Sequence, residues 1–176
     1  MLTATIPLIP FSATRFEPQV TGSAEPAIIG LILGGGDDEA LCYQIFEFLE
    51  TRPRGRVRLH IIATEPGPVS LANGLRLLPN EFLPNITLPD ILIFSRATIA
   101  NPDFNLLALL RRCLEAGRPV LVVGGQFPAA FADLPLEPGQ VIGLRPAASV
   151  GVWLRRQFDE MDRQQAADPY PVLPDP

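Results

Sequence analysis

The sequence predicts a three-layer, doubly wound α/β domain with a mostly parallel sheet, and three observations carry that expectation. Residues 27–33 (AIIGLIL), 90–94 (DILIF) and 120–123 (VLVV) are apolar or nearly so without alternation, as strands covered on both faces of a parallel sheet are. Helical periodicity follows the first two of them, at 39–51 and 102–116. Glycines punctuate the joins, with Gly34-Gly35-Gly36 after the first strand and Gly117 after the second helix. Strands alternating with helices in this way form βα units, whose ligands sit at the carboxyl ends of the strands.

The chain has 176 residues, the size of one domain, and its 47% hydrophobic and 19% charged content excludes a disordered polymer. A formal net charge of -5 opposes a broad nucleic-acid or anionic-membrane surface, so direct nucleic-acid binding is not expected. No apolar run reaches the roughly 20 residues that span a bilayer. The opening stretch has no positive residue before Arg15 and is broken by Pro7 and Pro10, so it does not read as a secretory signal; a cytoplasmic location is expected.

Residues 1–26, with Pro7, Pro10, Pro18 and Pro26, read as an extended arm, residues 27–164 as the domain, and residues 165–176, ending DPYPVLPDP, as a Pro-rich tail. Within the domain, the helix at 39–51 places Leu41, Ile45, Phe46, Phe48 and Leu49 mostly on one side. A second strand at 56–64 alternates Val57, Leu59, Ile61 and Ala63 with Arg58, His60 and Thr64, which predicts a wetter face near a sheet edge. Residues 68–78 alternate around Ala72-Asn73-Gly74, and Asn-Gly predicts a small β-hairpin. After the strand at 120–123 come a short helix at 128–132, a weak strand at 140–144 and a last helix at 148–164 carrying Val152, Trp153 and Phe158.

Three loops at strand ends are candidate sites: 34–38, 95–101 and 124–128. Gly34-Gly35-Gly36-Asp37-Asp38 has the strand-loop-helix context of a phosphate cradle but matches neither GxGxxG nor GxxxxGK[ST]. The reading adopted is a glycine turn followed by acids that favour a helix N-terminus. A divalent-cation site on Asp37 and Asp38 would need an oxygen ligand from a neighbouring strand, and the 90–94 strand leads into Ser95, so no metal and no cofactor is expected. Val123-Gly124-Gly125-Gln126 has the geometry of a nucleophile elbow without a Cys or Ser. His60, the single histidine, is far in sequence from any nucleophile and reads as an edge-strand residue. Cys42 and Cys113 read as buried thiols, and Arg111-Arg112 and Arg155-Arg156 as solvated helix faces.

The segments IIGLIL, GPVSLANGLRLLPNEFLPNITLPDILIF and NPDFNLLALLRRCLEAGRPVLVVGGQFPAAFADLPL together resemble the ThiJ/PfpI branch of the class I glutamine amidotransferase-like superfamily, as in the amino-terminal domain of AraC-type regulators. The resemblance covers about residues 27–140 and implies a flavodoxin-like fold with an inserted hairpin. The family's elbow cysteine would fall near Gly125, and Ser95-Arg96 replaces the glycine pair that usually closes the PD-led strand. The family's chemistry is therefore not expected to carry over, and with only one helix and a tail after the matched segment, direct DNA binding is not expected either. A second resemblance is to a response-regulator receiver, through the acidic pair of DDEALCYQIFEFLE, the strand LPDILIF and the step Arg145-Pro146. With Ser95 at the phosphoacceptor position it would be a pseudo-receiver.

These readings converge on a non-catalytic domain that binds a small molecule or a protein, with homodimerisation through a helix or hairpin face expected. The candidate ligand-binding residues are Gly34, Gly35, Asp37, Glu39, Ser95, Arg96, Gly125 and Gln126. An enzyme-class alternative, a hydrolase or lyase, would use Asp37, Glu39, Ser95 and Gln126.

Overall fold

The computed structural model describes residues 25–36, 39–83, 86–95, 98, 104–124, 140–144 and 149–167. Residues 1–24 of the predicted arm, the short helix at 128–132 and the end of the tail lie outside them. The elements run β1 (Ala27–Leu33), α1 (Glu39–Glu50), β2 (Val57–Ala63), β3 (Val69–Ser70), β4 (Arg76–Leu77), β5 (Glu81–Phe82), β6 (Ile91–Ser95), α2 (Phe104–Glu115), β7 (Val120–Val123), β8 (Val141–Leu144) and α3 (Ser149–Ala167).

Six strands form one parallel sheet in the order β5-β2-β1-β6-β7-β8. The order reverses at β1, with β2 on one side and β6 on the other, which is the doubly wound arrangement the apolar strands predict. The expected hairpin is present as the antiparallel pair Val69↔Leu77 and Ser70↔Arg76. Its turn is closed by a Leu71 N–H bond to the Leu75 carbonyl at 2.8 Å, and the Asn73 Oδ1 accepts from the Leu75 N–H at 2.9 Å.

The sheet divides the core into two layers. On one side Ile29, Leu31, Ile91, Ile93 and Leu121 meet α1 and α3 through Phe48, Trp153 and Leu154. On the other, Ile32, Ile62, Leu92, Phe94 and Val122 meet α2 through Leu106, Leu110 and Cys113. Ile91 and Ile93 are 1% and 0% exposed, so β6 is the buried central strand expected from DILIF.

Asp90 stands just before β6, at the opposite end of the sheet from any strand-end site. It exchanges backbone hydrogen bonds with Ile28, its N–H reaching the Ile28 carbonyl and its Oδ2 accepting from the Ile28 N–H, both at 2.8 Å. Its other oxygen meets Arg118 Nη1, so one carboxylate ties β1, β6 and the approach to β7.

A second clamp joins α1 to α3. The Arg52 guanidinium meets Asp159 at 2.7 Å and Asp162 at 3.3 Å, donates to the Arg155 carbonyl at 3.2 Å, and lies 5.1 Å and 5.7 Å from the Phe48 and Phe158 ring centroids. Arg155 bridges to Glu47 on α1 at 3.2 Å, so that member of the predicted solvated pair does packing work, whereas Arg111 and Arg112 are exposed as expected.

One strand was not expected from the sequence. β5 is two residues long, and Asn80 prepares it by using its side chain as a piece of backbone: Oδ1 accepts from the Ile61 N–H at 2.7 Å and Nδ2 donates to the Leu59 carbonyl at 3.2 Å. β2 therefore lies second from the edge, and its wet face, predicted along its length, is confined to the Arg58 and His60 end because Ile62 and Ala63 are buried.

On the α2 side Pro89 lies across β1 at Gly30, where a Cβ would meet the Pro89 Cβ and Cγ at 3.0 Å each and the Ile62 Cδ1 at 3.1 Å. A proline ring in a filled layer has little freedom to retreat. Gly30→Ala is expected to lower unfolding free energy by about 1–3 kcal/mol, read by urea denaturation, as overpacking of a filled core does.

Candidate functional site

The carboxyl ends of β1, β2 and β6 meet on one edge of the domain. β1 passes through Gly34, half-buried, to Gly35 and Gly36, which are exposed, and then to Glu39, the half-buried first residue of α1. Gly36 has φ +81°, a conformation that favours glycine, and its N–H donates to the Ser70 carbonyl at 2.9 Å. That bond fastens the β3-β4 hairpin to the β1-α1 loop.

β6 ends at Ser95, the buried polar residue of this edge, 9% exposed. Its Oγ lies 3.1 Å from Thr98 Oγ1 and 3.4 Å from the Thr98 amide nitrogen, which donates to it, while Thr98 Oγ1 donates to the Ile32 carbonyl at 3.5 Å. A Cβ at Gly34 would stand 3.4 Å from Thr98 Cα, within ordinary van der Waals contact, so Thr98 packs directly against the end of β1. Ser95 thus serves as a hydroxyl link in the loop between strand ends, and no imidazole approaches it among the described residues.

A cavity of about 290 Å³ opens beside this seam, between the ends of β1 and β2. It is an open depression lined by Leu33, Gly34 and Gly35 after β1, Ala63 to Pro68 after β2, and Val69 and Ser70 of the hairpin. Two of the eight candidate residues, Gly34 and Gly35, line it; Ser95 belongs to the neighbouring strand end; Glu39 begins the adjoining helix. Asp37, Arg96, Gly125 and Gln126 lie outside the described residues. Thr64, Glu65, Gly67 and Ser70 are lining residues that the sequence reading passed over. The signal for them was present, since EPGP directly follows an alternating strand and the strand-end rule applies to β2 as much as to β1.

The elbow after β7 is described only at Gly124, whose φ of +85° fits the expected tight turn and whose N–H donates to the Leu144 carbonyl at 3.0 Å. His60 sits in the middle of β2 rather than at its end, with Nδ1 3.5 Å from Glu81 Oε1 on the edge strand. The histidine is therefore part of the β2-β5 edge and not of the cavity. No cluster of three or more His, Cys, Asp or Glu residues suited to a metal ion occurs among the described residues.

Neither cysteine reaches this edge of the domain. Cys42 and Cys113 are both buried and not joined in a disulfide. Burial pushes the Cys113 thiol from 9.0 up to about 12, against the opposing pull of Arg112 and Arg118. The thiolate is the reactive form, so an aromatic disulfide reagent is expected to find no Cys113 thiol in the native protein and to react after denaturation. The neutral thiol is favoured by folding: below pH 9 both states are protonated and nothing is lost, and stability falls as pH rises from 9 toward 12, where the unfolded thiol ionises first.

A six-stranded parallel sheet reversed at β1, with a hairpin inserted after β2 and a cavity beneath it, is a flavodoxin-like α/β domain. Solved structures share this layout. The chain is similar to DJ-1beta from Drosophila melanogaster, with 13% identity and a TM-score of 0.57 over 77% of this chain and 90% of that one. It is similar to an AraC family transcriptional regulator from Pseudomonas putida, with 16% identity and a TM-score of 0.56 over 76% and 91% of the two chains. A ThiJ/PfpI domain protein from Brachyspira murdochii matches with 10% identity and a TM-score of 0.58 over 78% and 96%. No family model and no curated protein matches the sequence. At these identities the likeness establishes the fold. No described helix is long and apolar enough to cross a membrane.

Proposed function

We propose that the chain is a regulatory binding domain of the ThiJ/PfpI-like type, with a degenerate amidotransferase-like site, that acts by holding a ligand or protein partner rather than by turning it over. The observation that carries this reading is the cavity at the ends of β1 and β2, whose lining holds hydroxyls, a carboxylate and backbone but no thiol or imidazole. Thiol and imidazole, a common nucleophile and a common base, are missing from the described lining, which supports a binding role. The glycine at position 125, where the family's elbow cysteine would fall, supports the same conclusion from sequence. The net charge of -5 favours a small molecule or protein over nucleic acid as the partner, with the two Pro-rich arms docking on a partner and a helix or hairpin face pairing two copies in the cytoplasm.

The receiver-like reading is disfavoured by the β3-β4 hairpin, which occupies the chain where a receiver carries its second helix. For the hydrolase or lyase reading, drawn on Asp37, Glu39, Ser95 and Gln126, the Ser95 Oγ lies 3.1 Å from Thr98 Oγ1 rather than beside an imidazole among the described residues.

Native mass spectrometry of protein purified gently from its own host tests the proposal. A retained small molecule or a discrete partner mass is expected, and it should be lost in Gly35→Leu, which puts a branched side chain on the cavity wall at a position with open space around a Cβ. A bare monomer from both proteins, together with any turnover abolished by Ser95→Ala, would overturn it.

A further inference from the structure

The turn of the β3-β4 hairpin carries chemistry that the strand-end site does not use. Five asparagines occur in the chain, and Asn73 alone is followed by glycine. The others precede Glu81, Ile86, Pro102 and Leu106, whose side chains crowd the following amide nitrogen or, in proline, remove its N–H.

Asn73 and Gly74 are both exposed, and a Cβ at Gly74 would meet nothing within 4 Å, so no neighbour packs the turn shut. The Asn73 Oδ1 accepts from the Leu75 N–H at 2.9 Å, which folds the side-chain amide back over Gly74. The same donor stabilises the negative charge that Oδ1 gains when a nucleophile adds to Cγ. One contact opposes attack: the Gly74 N–H donates to the Leu71 carbonyl at 3.0 Å, and this turn bond must open first. An exposed turn opens at low free-energy cost.

We infer that Asn73-Gly74 is a site of spontaneous deamidation whose isoaspartate product loosens the hairpin's hold on the β1-α1 loop. The Gly74 nitrogen adds to Asn73 Cγ, the Cγ–Nδ2 bond breaks, and Nδ2 leaves as ammonia with the proton that the Gly74 nitrogen gives up. Water then opens the resulting succinimide. Cleavage between Cγ and the Gly74 nitrogen yields aspartate, whereas cleavage at the main-chain carbonyl yields isoaspartate, whose backbone runs through Cβ and Cγ. The added methylene falls inside the loop closed by the Leu71 N–H bond to the Leu75 carbonyl at 2.8 Å. Ser70, next to Leu71, supplies the carbonyl that receives the Gly36 N–H at 2.9 Å. A misfit in the turn thus reaches the bond that fastens the hairpin to the end of β1.

The full chain held in mildly alkaline buffer, then digested and mapped by mass spectrometry and by enzymatic methylation of isoaspartate, tests this. Amide-to-carboxyl conversion should appear at Asn73 before Asn80 or Asn105, at a rate within about tenfold of that in the chain unfolded by urea. As isoaspartate accumulates, the Gly36 amide resonance should shift and its exchange quicken. Asn73→Gln should suppress both changes, because its longer side chain closes a larger imide ring more slowly. Asn73→Asp, which adds the charge without the methylene, should leave the Gly36 amide where it is. Slower conversion, or conversion first at another asparagine, overturns the site. Conversion that leaves Gly36 unmoved, or an Asn73→Asp variant that reproduces the shift, overturns the link to the β1-α1 loop.

Discussion

Phe48→Ala is expected to lower the unfolding free energy by about 3–5 kcal/mol, the cost of emptying a fully buried aromatic site. Phe48 is 0% exposed and joins the α1 and α3 sides of one core layer, its ring 5.2 Å from that of Phe158. It also forms one of the two faces under the Arg52 guanidinium. Removing it deprives the arginine of that face while its carboxylate partners on α3 remain, so the loss should exceed that of a simple cavity. Urea denaturation of Phe48→Ala, Arg52→Met and the double variant measures this coupling. A coupling energy of zero would show that the ring and the arginine act independently.

Asp90→Ala should cost about 2–4 kcal/mol, because it strands a backbone donor and a partly buried arginine together. The Ile28 N–H and Arg118 Nη1 both depend on that carboxylate. Asp90→Asn keeps an acceptor for Ile28 and gives up the charge, so it should recover part of the loss. Equal destabilisation by the two substitutions would mean that the ion pair carries the whole effect. Asp90 lies at the amino end of β6, opposite the cavity, so neither substitution should alter ligand retention.

These two residues also mark where the sequence was legible and where it was not. The strands AIIGLIL, DILIF and VLVV could be placed because burial on both faces leaves a continuous apolar run, which is a local signal. The hairpin could be placed from Asn73-Gly74 for a similar reason, since a turn is written in a few adjacent residues. β5 could not, because its identity depends on Asn80 imitating backbone toward β2, a contact 19 residues away in the chain. The Arg52 clamp was equally hidden, its carboxylates lying more than 100 residues downstream.

The candidate site was half legible. Gly34, Gly35 and Ser95 were reached by following strands to their carboxyl ends, and the structure does set them at the ends of the adjacent strands β1 and β6. The lining from Thr64 to Ser70 carries no local signature, since EPGP matches no known site motif. What makes it a wall is the hairpin folding back to meet Gly36, a long-range hydrogen bond without a residue-level signature.

The most direct test of the binding account is hydrogen exchange of the full chain, with and without a dialysed small-molecule extract of its own host. The account predicts slowed exchange at the amides of Gly34 to Gly36 and of Thr64 to Ser70, little change at β5, and loss of the effect in Gly35→Leu. Protection that appears elsewhere, or that survives in Gly35→Leu, would contradict it.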